Sequence, residues 1–343
     1  MERIIYTGKD FCAVEEDGLL VEYLHTEEDS QSGDIIAGTV ERIMPGLECA
    51  FVDIGRRQNG FLPMKENSLT FCGASLRSGM RIAVQIRKEE TSSKGAYLTR
   101  DFAIPGTYIL LMPYNRYIGV SSRISDEQAR ERLRTHGQLL TSGEYGIVFR
   151  ESSLQASLQS IADEYRVLMQ KWADVSEKMK NLPSNGFVLY HADPVQQLIS
   201  DYQGKGPVTV MNTEVLPTNL DRQRRQSSER LIRIRNGGNI VIDRCEAMTV
   251  IDVNTGSAAG DHKKSFLITE TNISACESIA SQIRLRDLGG IILIDFIDME
   301  SDEERSIVEQ RLRDCLTRDR RKTVIHGWTK LGIMEMTRKR TGK

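Results

Sequence analysis

Two apolar patterns organise the C-terminal third of the chain. From residue 248 to 254 apolar and polar positions alternate with period two, so Met248, Val250, Asp252 and Asn254 share one strand face and Thr249, Ile251 and Val253 the other. From 291 to 295 the run Ile-Ile-Leu-Ile is unbroken and ends in Asp295, the pattern of a strand covered on both faces that surfaces at its C-terminal end. Between them Ile279, Ile283 and Leu285 mark the apolar face of a helix over 266–288, stopped by Gly289-Gly290. The order is strand, helix, strand, and open α/β sheets place ligands at the C-terminal strand edge.

The same reading predicts the rest of the chain. Short alternating runs at 3–7, 11–15 and 19–24, with Glu16-Asp17-Gly18 as a turn, form a meander. Between 33 and 100 short strands punctuated by glycine (33–40, 50–55, 60–63, 81–86) suggest a small closed barrel. Ser125 is the expected cap of a helix reaching about residue 140, 145–150 reads as a strand, and Ile161, Tyr165, Leu168, Trp172, Val175 and Met179 form the core-packing stripe of a long helix. A strand follows at 187–190, then Asp193-Pro194 as cap and first turn of a helix over 195–202, and a strand at 208–211. Ser301 caps a helix whose first turn is acidic, with Ile307, Val308, Leu312, Cys315 and Leu316 as its buried face.

A length of 343 residues predicts two or more compact units, and a net charge of −2 excludes a uniformly basic chain but leaves room for a local patch. Arg311, Arg313, Arg318, Arg320, Arg321 and Lys322, followed by Lys330, Arg338, Lys339, Arg340 and Lys343, are denser than a helix dipole requires and suit a phosphate-backbone patch. Arg222-Gln223-Arg224-Arg225 reads instead as a solvated charged loop. With no signal-peptide pattern and no apolar run near the roughly 20 residues of a membrane span, a soluble, cytoplasmic protein is expected. The six cysteines contain no Cys-x-x-Cys pair and the five histidines no ligand spacing, which predicts free thiols and argues against zinc. Asp252 and Asp295, at two strand ends with no basic neighbour in sequence, suit a hard divalent cation such as Mg²⁺ at about 2.0–2.1 Å, with Asn254 orienting a phosphate or ligand water. Helix capping is the alternative for either aspartate alone.

Four stretches carry a resemblance: Gly237-Gly238-Asn239-Ile240-Val241-Ile242-Asp243, Glu246-Ala247-Met248-Thr249-Val250-Ile251-Asp252-Val253-Asn254-Thr255-Gly256, Arg284-Leu285-Arg286-Asp287-Leu288-Gly289-Gly290 continuing to Asp298-Met299, and Leu331-Gly332-Ile333-Met334-Glu335-Met336-Thr337-Arg338-Lys339-Arg340. Together they look like the catalytic region of bacterial ribonuclease E/G endoribonucleases. The resemblance implies an α+β multi-subdomain fold: a trimmed RNase H-like subdomain (1–30 and 186–226) interrupted by an S1-type OB barrel (31–100) and a 5′-sensor region (101–185), followed by a DNase I-like catalytic α/β subdomain (227–343). It implies Asp252 and Asp295 as Mg²⁺-binding aspartates, with Mn²⁺ as the alternative ion, and Asn254 as their support. Phe51, Phe61 and Lys94 match the barrel's RNA-binding positions. Gly106, Leu110 and Arg150 match the sensor of the RNA 5′ end. Glu151 departs from it, standing where the family motif has a threonine, and a carboxylate cannot donate to a phosphate and repels it. Ser122 likewise stands where the family often has arginine, followed by Arg123. Family members usually continue through a Cys-Pro-x-Cys segment that joins subunits through zinc; this sequence stops at Lys343, so any homo-oligomer is expected to lack that link.

The expected function is endonucleolytic hydrolysis of single-stranded RNA, precursors of rRNA or mRNA, to 5′-phosphate and 3′-hydroxyl products, with Arg320 and Lys322 on phosphates. The rival readings are a non-catalytic S1-type RNA-binding protein on a nuclease-like scaffold and a metal-dependent nuclease of DNA.

Overall fold

The chain opens with β1 (Arg3–Thr7), β2 (Phe11–Glu16) and β3 (Leu19–His25) in an antiparallel meander. Asp17 and Gly18 form the β2–β3 turn with φ of 49° and 83°, the left-handed pair that a two-residue hairpin of this twist requires. The computed structural model describes residues 2–26, 32–64, 76–90, 94–235, 237–255 and 264–339. Gly256, Arg340 and Lys343, named above, lie outside them, as do Cys72 and His262 among the cysteines and histidines. The chain divides into two compact units, Glu28–Pro207 and Met1–Glu27 with Val208–Thr341.

In the first unit β4 (Ile35–Met44), β5 (Cys49–Asp53), β6 (Gly60–Pro63), β7 (Arg81–Lys88) and β8 (Tyr97–Thr99) hydrogen-bond in the order β4-β5-β6-β8-β7, and β7 returns to β4 to close a barrel. Its core is aliphatic, with Val40, Val52, Leu62, Val84, Ile86 and Leu98 turned inward. A second sheet combines β9 (Ile104–Pro105), β10 (Ile109–Met112), β11 (Ile118–Val120) and β12 (Gly146–Phe149) with helices α1 (Glu127–Thr141) and α2 (Leu158–Lys180). Asp126 rather than Ser125 caps α1, because its carboxylate accepts the Gln128 amide. Along α2 the expected stripe holds: Ile161, Leu168, Trp172 and Val175 are buried, with Tyr165 and Met179 packed against them. β13 (Val188–Tyr190) pairs with β4, and α3 (Pro194–Gln203) follows, capped by Asp193 with Pro194 at its first position.

In the second unit β14 (Thr209–Asn212) runs parallel to β1, giving a sheet of order β14-β1-β2-β3. Where the sequence reads as a charged loop, the chain forms α4 (Thr218–Gln226): Leu220 is buried, Arg224 and Arg225 both pair with Asp221, and Arg224 lies over the Tyr23 ring. The remaining elements are β15 (Leu231–Arg233), β16 (Asn239–Arg244), β17 (Met248–Asn254), α5 (Lys264–Leu285), β18 (Gly290–Asp295), α6 (Asp302–Leu316), β19 (Thr323–Trp328) and β20 (Ile333–Arg338). Their sheet has the order β15-β16-β17-β18-β20-β19, with β17 and β18 parallel, joined through α5, and the other neighbours antiparallel.

Both helices pack on one face of this sheet. Ile251, Val253, Ile292 and Ile294 share a core with Ile279 and Ile283 of α5 and Val308 and Leu312 of α6. The sequence reading of β18 as covered on both faces is therefore corrected: Ile291 is 46% exposed, since among the described residues both helices pack on the opposite face. Ile307, expected in the buried face of α6, is 52% exposed, while the Ser301 capping box is present as expected. Among the described residues no helix is long and apolar enough to cross a membrane.

Candidate active site

The alternation in β17 sends Thr249, Ile251 and Val253 into the core and leaves Met248, Val250, Asp252 and Asn254 on the helix-free face. In β18 the same alternation buries Ile292 and Ile294 and exposes Asp295. The parallel register sets Asp252 directly opposite Asp295, so the two carboxylates stand side by side at the C-terminal ends of adjacent strands. Burial, then the negative charges of Asp252 and Asp298, push the Asp295 carboxyl above the usual carboxylate range. Like charges held together in this way are what a bound cation relieves.

A side-chain hydrogen bond and a close backbone approach surround the end of β17. The Asn254 side-chain amide donates to Asp252 Oδ2 at 2.8 Å, orienting that carboxylate. Gly238 passes so close to the Asn254 carbonyl that a Cβ there would lie 2.6 Å from it, which explains the glycine before β16. Beyond β18, the fully buried Asn272 of α5 donates to the Ile297 carbonyl at 2.9 Å and accepts from the Ile297 amide at 3.1 Å, fastening the segment that carries the exposed Asp298. Sequence reasoning missed Asn272: a lone asparagine in an amphipathic helix carries no signal of a partner 25 residues away. Among the described residues no group of three His, Cys, Asp or Glu side chains converges as a metal site. The donor set is two partly exposed carboxylates, which fits an oxygen-seeking cation that retains several waters rather than an all-protein cage.

On the barrel, Phe51 and Phe61 point outward, since their neighbours Ala50, Val52 and Leu62 are core. The two rings meet edge to face with centroids 6.0 Å apart, both only half-buried. Lys94 is exposed just before β8.

In the sensor-like region the donors are taken up internally. Arg150 donates to the Gly106 carbonyl at 2.6 Å and pairs with Asp201 of α3. The Glu164 carboxylate of α2 accepts from three successive amides, Thr107 at 2.6 Å, Tyr108 at 2.8 Å and Ile109 at 3.0 Å, and the Gly106 amide donates to the Ile109 carbonyl. Leu110 is half-buried in β10. Glu151 faces Arg123 at 3.7 Å rather than Arg150. Neither Glu164 nor Asp201 was legible as a partner, because each reaches its donors across more than forty residues.

The basic C-terminal stretch is likewise largely matched by carboxylates. Arg320 donates to Glu22 at 2.7 Å and is 15% exposed; Arg311 pairs with Glu277, Arg313 with Glu309, Arg321 with Asp287, and Arg338 with Asp319 and Asp287. Lys322 is exposed. The run of cations was visible in sequence and its carboxylate partners were not.

A five-stranded barrel in one unit and, in the other, a helix-backed mixed sheet carrying paired carboxylates make this a multi-unit α+β protein. The chain belongs to the ribonuclease E/G family, whose model matches residues 103–216 and 209–341. It is 32% identical to ribonuclease G of Haemophilus influenzae over 96% of this chain and 77% of that protein, and 31% identical to ribonuclease G of Escherichia coli K12 over 95% and 76%. Its identity to ribonuclease E of E. coli K12 is 30%, over 91% of this chain and 34% of that much longer protein.

Proposed function

We propose that the protein is a metal-dependent endoribonuclease that cuts single-stranded RNA in cytoplasmic RNA processing or decay. The observation that carries this reading is the register pairing of Asp252 with Asp295 on one open sheet face. In this reading the sheet of β15–β20 is the DNase I-like catalytic subdomain, the β14-β1-β2-β3 sheet belongs to the RNase H-like part, and the barrel is an S1-type RNA-binding fold. Asp252 and Asp295 would hold Mg²⁺, or Mn²⁺ in its place, with Asn254 orienting the Asp252 carboxylate through its hydrogen bond. When bound, the ion supplies positive charge that stabilises the phosphoryl oxygens and activates water for in-line attack. Water attack breaks the bond from phosphorus to the 3′ oxygen, leaving a 3′-hydroxyl and a 5′-phosphate. Phe51, Phe61 and Lys94 retain the unpaired strand by stacking and charge.

The test is cleavage of an end-labelled single-stranded RNA and its DNA analogue, with Mg²⁺ and with chelator. Asp252→Asn and Asp295→Asn are each expected to lower the rate at least about 100-fold, as removal of a charged group that stabilises the transition state does, while leaving RNA binding intact. A variant that cuts at the unaltered rate in saturating Mg²⁺ removes the site assignment. RNA binding without metal-dependent cutting by the unaltered protein would favour a purely binding role.

A further inference from the structure

The two barrel phenylalanines are the middle of a longer row. Following cross-strand partners from strand to strand, Arg42 of β4 stands opposite Phe51 of β5, Phe51 opposite Phe61 of β6, Phe61 opposite Tyr97 of β8, and Tyr97 opposite Lys88 of β7. The row covers four strand spacings, about 19 Å measured along the curved barrel wall. The rings face out, because the residues beside them, Val52, Leu62 and Leu98, are fully buried in the aliphatic core. Centroids lie 6.0 Å apart for Phe51 and Phe61 and 5.8 Å for Phe61 and Tyr97, and the Lys88 ammonium sits 5.9 Å from the Tyr97 centroid. Arg42 and Lys88 are exposed, while the three rings are half-buried.

We infer that Tyr97 is a third stacking position and that Arg42 and Lys88 close the row at its two ends, so that the band takes three consecutive unpaired nucleotides of an RNA strand. This deepens the RNA-binding reading above and rests on it. Tilted rings about 6 Å apart seat separate, splayed bases rather than one continuous stack, which is how aromatic side chains take up single strands. The flanking cations match phosphates on either side of the three bases, and a Lys already lying over an aromatic face adds its charge where the third base stacks. Half-buried rings in an outward row have no core to fill, and burying that apolar surface against bases gives the row its driving force.

The test measures binding of a short fluorescent single-stranded RNA to the full chain by anisotropy at fixed salt, in an Asp252→Asn background so that nothing is cut. Tyr97→Ala is expected to weaken binding roughly five- to 150-fold, the range for loss of one stacked base, with Tyr97→Phe within about two-fold of the unaltered ring, since both stack alike. Tyr97→Leu keeps apolar bulk beside Phe61 and is expected to lose affinity as Tyr97→Ala does; it decides the matter if the alanine variant fails to fold. Lys88→Ala should lower the slope of log affinity against log salt by about one contact. Normal binding by Tyr97→Ala or Tyr97→Leu alongside weak binding by Phe51→Ala would end the row at Phe61 and overturn the inference alone. Normal binding by Phe51→Ala as well would overturn the RNA-binding reading beneath it. An RNA duplex that competes as well as the single strand would also overturn it, because paired bases offer no faces to the rings.

Discussion

Arg150 separates a charge that is present from a charge that is available. Its guanidinium is held by the Gly106 carbonyl and Asp201, and the amides of 107–109 are taken by Glu164, so the groups the family resemblance assigns to a 5′-phosphate already have partners within the chain. RNA with a 5′-monophosphate and RNA with a 5′-hydroxyl should therefore be cut at rates within about two-fold, given that a charge-assisted bond never made contributes none of its usual roughly 1.5–3 kcal/mol. Asp201→Asn releases Arg150 and should raise the preference for the monophosphate on the order of ten-fold, chiefly in KM. Glu151→Thr alone should change it little, because Glu151 is 52% exposed and faces Arg123. Rates on the two substrates for the three proteins check this, and a strong monophosphate preference in the unaltered chain would contradict it.

At the scale of elements, the strand pair β17–β18 was legible because period-two alternation and a strand-final aspartate are local patterns. The one-sided cover of β18 was not, since four consecutive apolar residues read alike whether one face or two are packed. The turn before β16 makes a sharper demand. A Cβ on Gly238 would meet the Asn254 carbonyl at 2.6 Å and the Ile234 and Thr271 side chains at 3.1 Å, and Asn254 is the residue that donates to Asp252. Gly238→Ala is expected to cost about 1–3 kcal/mol, as overpacking does, and to lower activity beyond its effect on stability because it shifts Asn254. Denaturant unfolding and cleavage rate, measured on the same variant, separate the two effects; unchanged values of both would mean the backbone gives way freely there.

For the molecule as a whole, the second unit joins segments far apart in sequence through buried charge. Glu16 of β2 accepts from Arg284 of α5 at 3.0 Å and Arg3 of β1 at 3.2 Å, with side-chain exposures of 4%, 6% and 9%. Burial alone would raise the Glu16 carboxyl, but Arg284 and then Arg3 outweigh it and hold the group below its ordinary value. Glu16→Gln leaves two buried cations short of a counter-charge and should cost about 3–5 kcal/mol at pH 7. A depressed folded-state value means the unfolded chain takes up the proton first. The contribution is thus complete above the unfolded value of about 4.3 and is lost as pH falls through the lower folded one. Thermal melts of both proteins should show a gap that is constant from pH 7 to about 5 and narrows only in more acid solution. A gap unchanged down to pH 3 would assign the loss to packing rather than charge.

The sequence by itself determined whatever depends on near neighbours: the period of β17, the stripe of α2, the Ser301 and Asp193 caps, the glycine-punctuated barrel strands, and the motifs that pick out Asp252, Asn254 and Asp295. Tertiary structure decided what depends on partners. It paired Arg320 with Glu22 and Arg150 with Asp201, delivered Glu164 to a loop more than fifty residues away, set both helices on one side of the catalytic-candidate sheet, and aligned Tyr97 with Phe61. The physical reason is range. Alternation and capping act through one or two turns of local backbone, whereas a charge or a ring acquires its role from whichever surface the folded chain brings within a few ångströms of it.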